Sequence, residues 1–127
     1  MQFMHAAVGI LRNANNQILI AKRPLHKYKG GLWEFPGGKI EPGESALDAL
    51  KREFKEELNI EIIAAESFMK FEHDYSERRV LLDTWLITEF SGEPCGMEGQ
   101  EIQWVSQDEL SLYEFPEGNC FILDKLK

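Results

Sequence analysis

The chain has 127 residues, 43% of them hydrophobic and 28% charged, enough for a buried core and ordinary for a globular protein. Its formal net charge of −8 argues against a polymeric nucleic-acid partner, which needs basic surface to neutralise phosphates. A single nucleotide held through a divalent cation is compatible with that charge. No apolar run approaches membrane-spanning length, and Met1 to Gly9 lacks the basic region and long apolar core of a signal peptide. The expectation is therefore a cytoplasmic protein without a membrane partner, one domain over residues 1–127, and a monomer or weak homodimer.

In chain order, Phe3 to Leu11 reads as a buried strand, with Ala6, Val8 and Ile10 on one side and Ala7 and Leu11 nearby. The turn signal Asn13-Ala14-Asn15-Asn16 leads to a second strand, Gln17 to Arg23, expected to be its hairpin partner. Leu25 to Gly31 has the composition of a mobile loop. Leu32 to Pro36 is a short strand, and Gly37 to Glu44 a glycine-punctuated turn. Ser45 then predicts a helix N-cap, with Asp48 at the capping-box position. The helix should run from Ala46 to Leu58, with Leu47, Leu50, Phe54 and Leu58 as its apolar stripe and Asn59 as a left-handed cap.

Beyond the helix, Ile60 to Phe71 reads as a strand, Glu72 to Arg79 as a charged turn and Val80 to Phe90 as a strong strand. Ser91 to Gln100 is a glycine- and proline-containing loop, and Ile102 to Val105 a short strand. Ser106 is placed to cap a short helix, Tyr113 to Asn119 is irregular, and Cys120 to Leu126 closes the chain as a helix. Cys95 and Cys120 have no metal-ligand spacing and read as free thiols. His5, His26 and His73 are scattered, and Trp33, Trp85 and Trp104 lie on apolar strands, so both sets read as packing or surface residues.

The acids of the central helix carry the chemistry. Glu53, Glu56 and Glu57 are related by three- and four-residue steps, so their carboxylates cluster beside the buried stripe. Helix stability gives no reason to gather like charges; a solvated acidic face would tolerate them, and a bound hard cation would explain them.

The spacing around them is distinctive. Gly38, five residues, Glu44, seven residues, then Arg52-Glu53-Phe54-Lys55-Glu56-Glu57-Leu58-Asn59-Ile60 resembles the Nudix box, with Asn59 where that family usually has glycine. The likeness extends nearly end to end and is nearest to the MutT-type nucleoside triphosphate pyrophosphohydrolases that clear oxidised guanine nucleotides. Its residues include Ala7-Val8-Gly9-Ile10, Glu34 to Glu41, Gly92-Glu93-Pro94, Glu98-Gly99-Gln100 and Phe115-Pro116. The loop Gly31 to Phe35 is also similar to cytosine-nucleotide pyrophosphohydrolases.

The resemblance implies an α/β fold, an α/β/α sandwich around a central mixed sheet. It also implies a Mg²⁺ cofactor, with Mn²⁺ as a substitute, and a small nucleotide substrate. Gly38, through its backbone, and Glu53, Glu56, Glu57 and Glu98 would form the metal site. Glu53 and Glu98 are the two candidates for general base, and the sequence does not choose between them. Arg52 would orient the carboxylates, while Arg23 and Lys39 would balance phosphate charge. Glu34 and Phe35 fall among the substrate-binding residues, and Arg78, Val80 and Asn119 at the base. Asn119 alone would also suit a turn or helix cap. A non-catalytic nucleotide-binding module on the same scaffold is the rival from another class, although such modules often lose box acids and this chain keeps them.

Overall fold

A computed structural model describes residues 2–26, 29–75 and 78–126, the side chains of Gln2, Phe3, Tyr75 and Arg78 excepted. Seven strands and two α-helices are described: β1 (Gln2–Leu11), β2 (Gln17–Lys22), β3 (Trp33–Glu34), β4 (Gly37–Lys39), α1 (Ala46–Leu58), β5 (Glu61–Tyr75), β6 (Arg78–Ser91), β7 (Ile102–Ser106) and α2 (Glu117–Leu126). A short 3-10 helix, Gln107–Leu112, follows β7 where the Ser106 cap signal stood.

One sheet has the order β4-β1-β6-β5 and is mixed, because β1 runs parallel to β6 while its other pairings are antiparallel. The second sheet, β3-β2-β7, is antiparallel. Alternation along β1 and β2 explains how helices come to cover both sides. Ala6, Val8, Ile10, Ile18 and Ile20 join a core cluster that also contains Ile122 of α2. Ala7, Leu11 and Leu19 join the other, with Leu50, Phe54 and Leu58 of α1. Trp33, Trp85 and Trp104 pack against these clusters, as their apolar strands imply.

Several expectations are corrected. β2 is not a hairpin partner of β1: the two touch through the single bridge Arg12–Ile18 and then diverge into different sheets. The glycine turn begins as strand β4, whose pairing to β1 (Ala7 opposite Gly38) is a tertiary contact with no local signature. The segment Glu72 to Arg79 is mostly ladder, with Tyr75 opposite Arg78, so the charges sit on strands rather than in a turn. Register shifts between Ile62 and Met69 blur the alternation of β5. α2 starts at Glu117, not Cys120, which brings Asn119 into its first turn. Leu47 is only half-buried, and Ala49 takes its place in the stripe.

The ends of α1 follow their cap residues. Ser45 Oγ accepts from the Asp48 N–H at 3.1 Å. Asn59 adopts φ 59°, ψ 36°, and its N–H donates to the Lys55 carbonyl at 3.2 Å. A left-handed residue at this place matches the αL helix stop. Among the described residues, no helix is long and apolar enough to cross a membrane. Replacing Asn59 by glycine should leave the urea midpoint nearly unchanged. Asn59→Val should cost roughly 1–2 kcal/mol, because a branched Cβ opposes positive φ.

Candidate active site

A cavity of about 620 Å³ opens between the two sheets, α1, α2 and the loops at residues 23–32 and 96–100. One end is acidic, lined by Glu53, Glu56 and Glu57 of α1 and by Glu98. The other is apolar, walled by Met4, Ala6, Val8, Val80 and Leu82, with Asn119 and Pro116 at its edge. Phe35, 2% exposed, stacks on Phe115 with ring centroids 5.3 Å apart.

At the acidic end, α1 lies against β4. A Cβ on Gly38 would stand 2.4 Å from Cδ of Glu53, so only glycine lets that carboxyl lie against the strand. Glu53 and Glu57 stand one helical turn apart, both half-buried. Burial raises the Glu53 pKa, against the pull of Arg52. Glu57 is pushed up to about 8 by burial first, then by the charges of Glu53 and Glu98. Two half-buried acids that cannot both ionise freely are a site short of positive charge.

Arg52 is the α1 cation that reaches these acids. Its guanidinium grips Glu44 with two hydrogen bonds of 2.8 and 3.0 Å, and meets Glu53 at 2.9 Å and the Lys39 carbonyl at 3.1 Å. This fork holds the Glu44 carboxyl below the ordinary carboxylate range and the guanidinium above its own. Glu56 stands apart: it is mostly exposed and 3.6 Å from Arg52. The expected trio is thus a buried pair with a third acid at the rim. Across the cavity, Arg23 is paired to Glu34 at 2.6 Å, and exposed Lys39 lines the same space.

The donor set suits a divalent cation chemically, since every donor is a hard carboxylate oxygen and four carboxyl groups line this end of the cavity. Among the described residues, however, no three His, Cys, Asp or Glu side chains already stand as a metal-holding group.

Of the residues named from the sequence, the cavity collects Arg23, Glu34, Phe35, Gly38, Lys39, Glu53, Glu56, Glu57, Val80, Glu98 and Asn119. Arg52 backs the site from outside it, and the side chain of Arg78 lies outside the described residues. Asn119 is the third residue of α2, so it is not that helix's N-cap. Sequence reasoning missed Lys22, Lys29 and Gln100 as lining residues. Lys29 had a signal as a cation beside two glycines in the loop after Arg23, and Gln100 stood in the Glu98-Gly99-Gln100 stretch that carries the family resemblance.

These features are those of a nucleotide-processing α/β fold, and the comparisons agree. Residues 7–125 match the NUDIX domain family, to which the chain therefore belongs. It is 40% identical to the 8-oxo-dGTP diphosphatase of Escherichia coli (strain K12) over 127 residues, 100% of this chain and 98% of the relative. It is also 35% identical to the CTP pyrophosphohydrolase of the same strain over 121 residues, 95% of this chain and 90% of the relative. A solved structure from a study of MutT from Aliivibrio salmonicida and Vibrio cholerae matches with a TM-score of 0.86 at 40% identity, covering 98% of this chain and 97% of that one. Nudix hydrolases generally need a divalent metal.

The pKa of Glu57 sets a pH dependence. A carboxyl whose pKa is raised on folding binds a proton between its unfolded value, near 4.5, and its folded one, so stability falls as pH rises through that window. Without divalent metal, the melting temperature should drop from pH 5.5 to pH 8.5. Glu57→Gln should flatten this profile, as measured by calorimetry in chelator.

Proposed function

We propose that this chain hydrolyses nucleoside triphosphates to a nucleoside monophosphate and pyrophosphate with Mg²⁺, and that its preferred substrate is 8-oxo-dGTP. The observation that carries the reading is one cavity with a carboxylate end and an apolar end edged by an amide. The 40% identity to an 8-oxo-dGTP diphosphatase along the whole chain supports it.

In this reading Glu53, Glu57 and Glu98 hold the metal with Glu56, and the Gly38 backbone lies against the triphosphate. Bound Mg²⁺, replaceable by Mn²⁺, would neutralise phosphate charge and acidify the attacking water. Glu53 or Glu98 accepts the water proton as the hydroxyl oxygen bonds to the β-phosphorus. The bond from that phosphorus to the α,β-bridging oxygen breaks, and the monophosphate leaves with that oxygen. Arg52 fixes the direction of Glu53, and Lys39 and Arg23 balance remaining phosphate charge. No covalent enzyme intermediate is needed, because positioning and charge neutralisation suffice.

Asn119 would read the base, with Phe35 and Val80 forming apolar surface against it; a role for Arg78 at the base rests on the sequence resemblance alone. The Asn119 amide offers both a donor and an acceptor. Oxidation at C8 turns N7 of guanine from an acceptor into a donor, which a two-point amide contact can sense. A second reading keeps the chemistry and takes a cytosine nucleotide, supported by the 35% identity to a CTP pyrophosphohydrolase.

Glu53→Gln should lower kcat by at least about 100-fold with melting temperature preserved, in line with the loss of a base or metal ligand. Turnover at the wild-type rate would sink the mechanism. Asn119→Ala should reduce the preference for 8-oxo-dGTP over dGTP by roughly 10-fold, within the usual worth of a lost buried polar contact. If that preference is unchanged and CTP is the better substrate, the cytosine reading holds instead. A pyrophosphate-release assay over 8-oxo-dGTP, dGTP and CTP gives both answers.

A further inference from the structure

The loop bearing Glu98 is tied to the end of α1 by two backbone hydrogen bonds and by one side chain. The last carbonyls of a helix lack partners within it. Here the Leu58 carbonyl accepts from Cys95 N–H at 2.9 Å, and the Glu57 carbonyl accepts from Met97 N–H at 2.9 Å. The Glu57 carbonyl also accepts a second hydrogen bond, from Nε2 of Gln100 at 3.1 Å. The other atom of the same amide, Oε1 of Gln100, accepts the Glu98 N–H at 2.9 Å. A single half-buried amide thus joins the backbone of Glu57 to the backbone of Glu98, two residues whose carboxylates face one cavity.

The surrounding chain makes room for this arrangement. A Cβ on Gly96 would lie 2.1 Å from the Gln100 carbonyl oxygen and 3.1 Å from its Oε1, so a side chain there would push the amide away. Gly99 N–H closes the loop on the Gly96 carbonyl at 2.9 Å. Glu98 itself is exposed. Its carboxylate is held by no packing of its own, so the distance from Glu98 to the buried acids is set through its backbone.

We infer that Gln100 is a positioning residue that fixes Glu98 against Glu57. The inference rests on the role given to Glu98 above. The amide supplies no atom to the reaction. It sets where the loop carboxylate stands when a divalent cation and triphosphate enter, and lowers the entropic cost of bringing that carboxylate in.

The test measures kcat, KM and the half-saturating Mg²⁺ concentration with 8-oxo-dGTP for Gln100→Ala, Gln100→Met, Glu98→Gln and the double variant Glu98→Gln/Gln100→Met. Methionine keeps the length and removes both hydrogen bonds, so it holds the loop's packing if alanine loosens it. Gln100→Met should lower kcat about 10-fold and raise the half-saturating Mg²⁺ several-fold, a loss of order typical for supporting residues of metal sites. KM for the nucleotide should move less than about twofold. In the Glu98→Gln background the same change should have almost no further effect, because the group it positions is gone. An undiminished effect in that background, or wild-type kcat and Mg²⁺ dependence in both Gln100 variants while Glu98→Gln is impaired, overturns the inference alone. Full turnover in Glu98→Gln removes the role of Glu98 and the inference with it.

Discussion

Everything at this site depends on packing carboxylates together where water is partly excluded. Glu53 and Glu57 stand one turn apart on α1, with Glu53 against β4; burial raises the pKa of both, and the charge of Glu53 adds to the rise at Glu57. That arrangement costs stability, so the rest of the fold must hold it in place. Phe54 and Leu58, buried at the same level of the helix, anchor α1 against the mixed sheet. The bare face of Gly38 lets strand and helix come close enough for the acids to be enclosed.

Arg52 is the counterweight that the helix itself provides. Its fork spends most of its donors on Glu44 and the Lys39 carbonyl, which ties the loop before the helix to the helix surface. Only one short hydrogen bond remains for Glu53. Charge compensation is therefore partial, and the unmet part is what a divalent cation bridging protein and phosphates can satisfy. An overall negative protein can bind an anionic ligand on those terms.

Local signals were legible in the sequence, and long-range pairings were not. Ser45 and Asn59 mark both ends of α1 because capping is decided by the few residues around it. The face alternation of β1 and β2 was readable because each face meets a different core. The partner of β2 was hidden, since the bend between Arg12 and Ile18 that sends it to the second sheet depends on β7, far along the chain. Strand β4 was read as turn because its ladder exists only once β1 is beside it. For the site, spacing on one helix located the acids. The amide of Gln100, which joins the end of α1 to the loop of Glu98, arises from a tertiary contact that no spacing encodes.

The apolar wall of the cavity has a second duty. Ala6, Val8, Val80 and Leu82 face the open space and are also members of the core cluster shared with Ile122. Enlarging or reshaping that wall to admit a different ring would also loosen the packing between sheet and terminal helix. Asn119, half-buried at the cavity edge, carries no such burden. Exchanging such edge residues on α2 would therefore leave the floor beneath fixed, so that the rim of the cavity and the integrity of the fold can change independently.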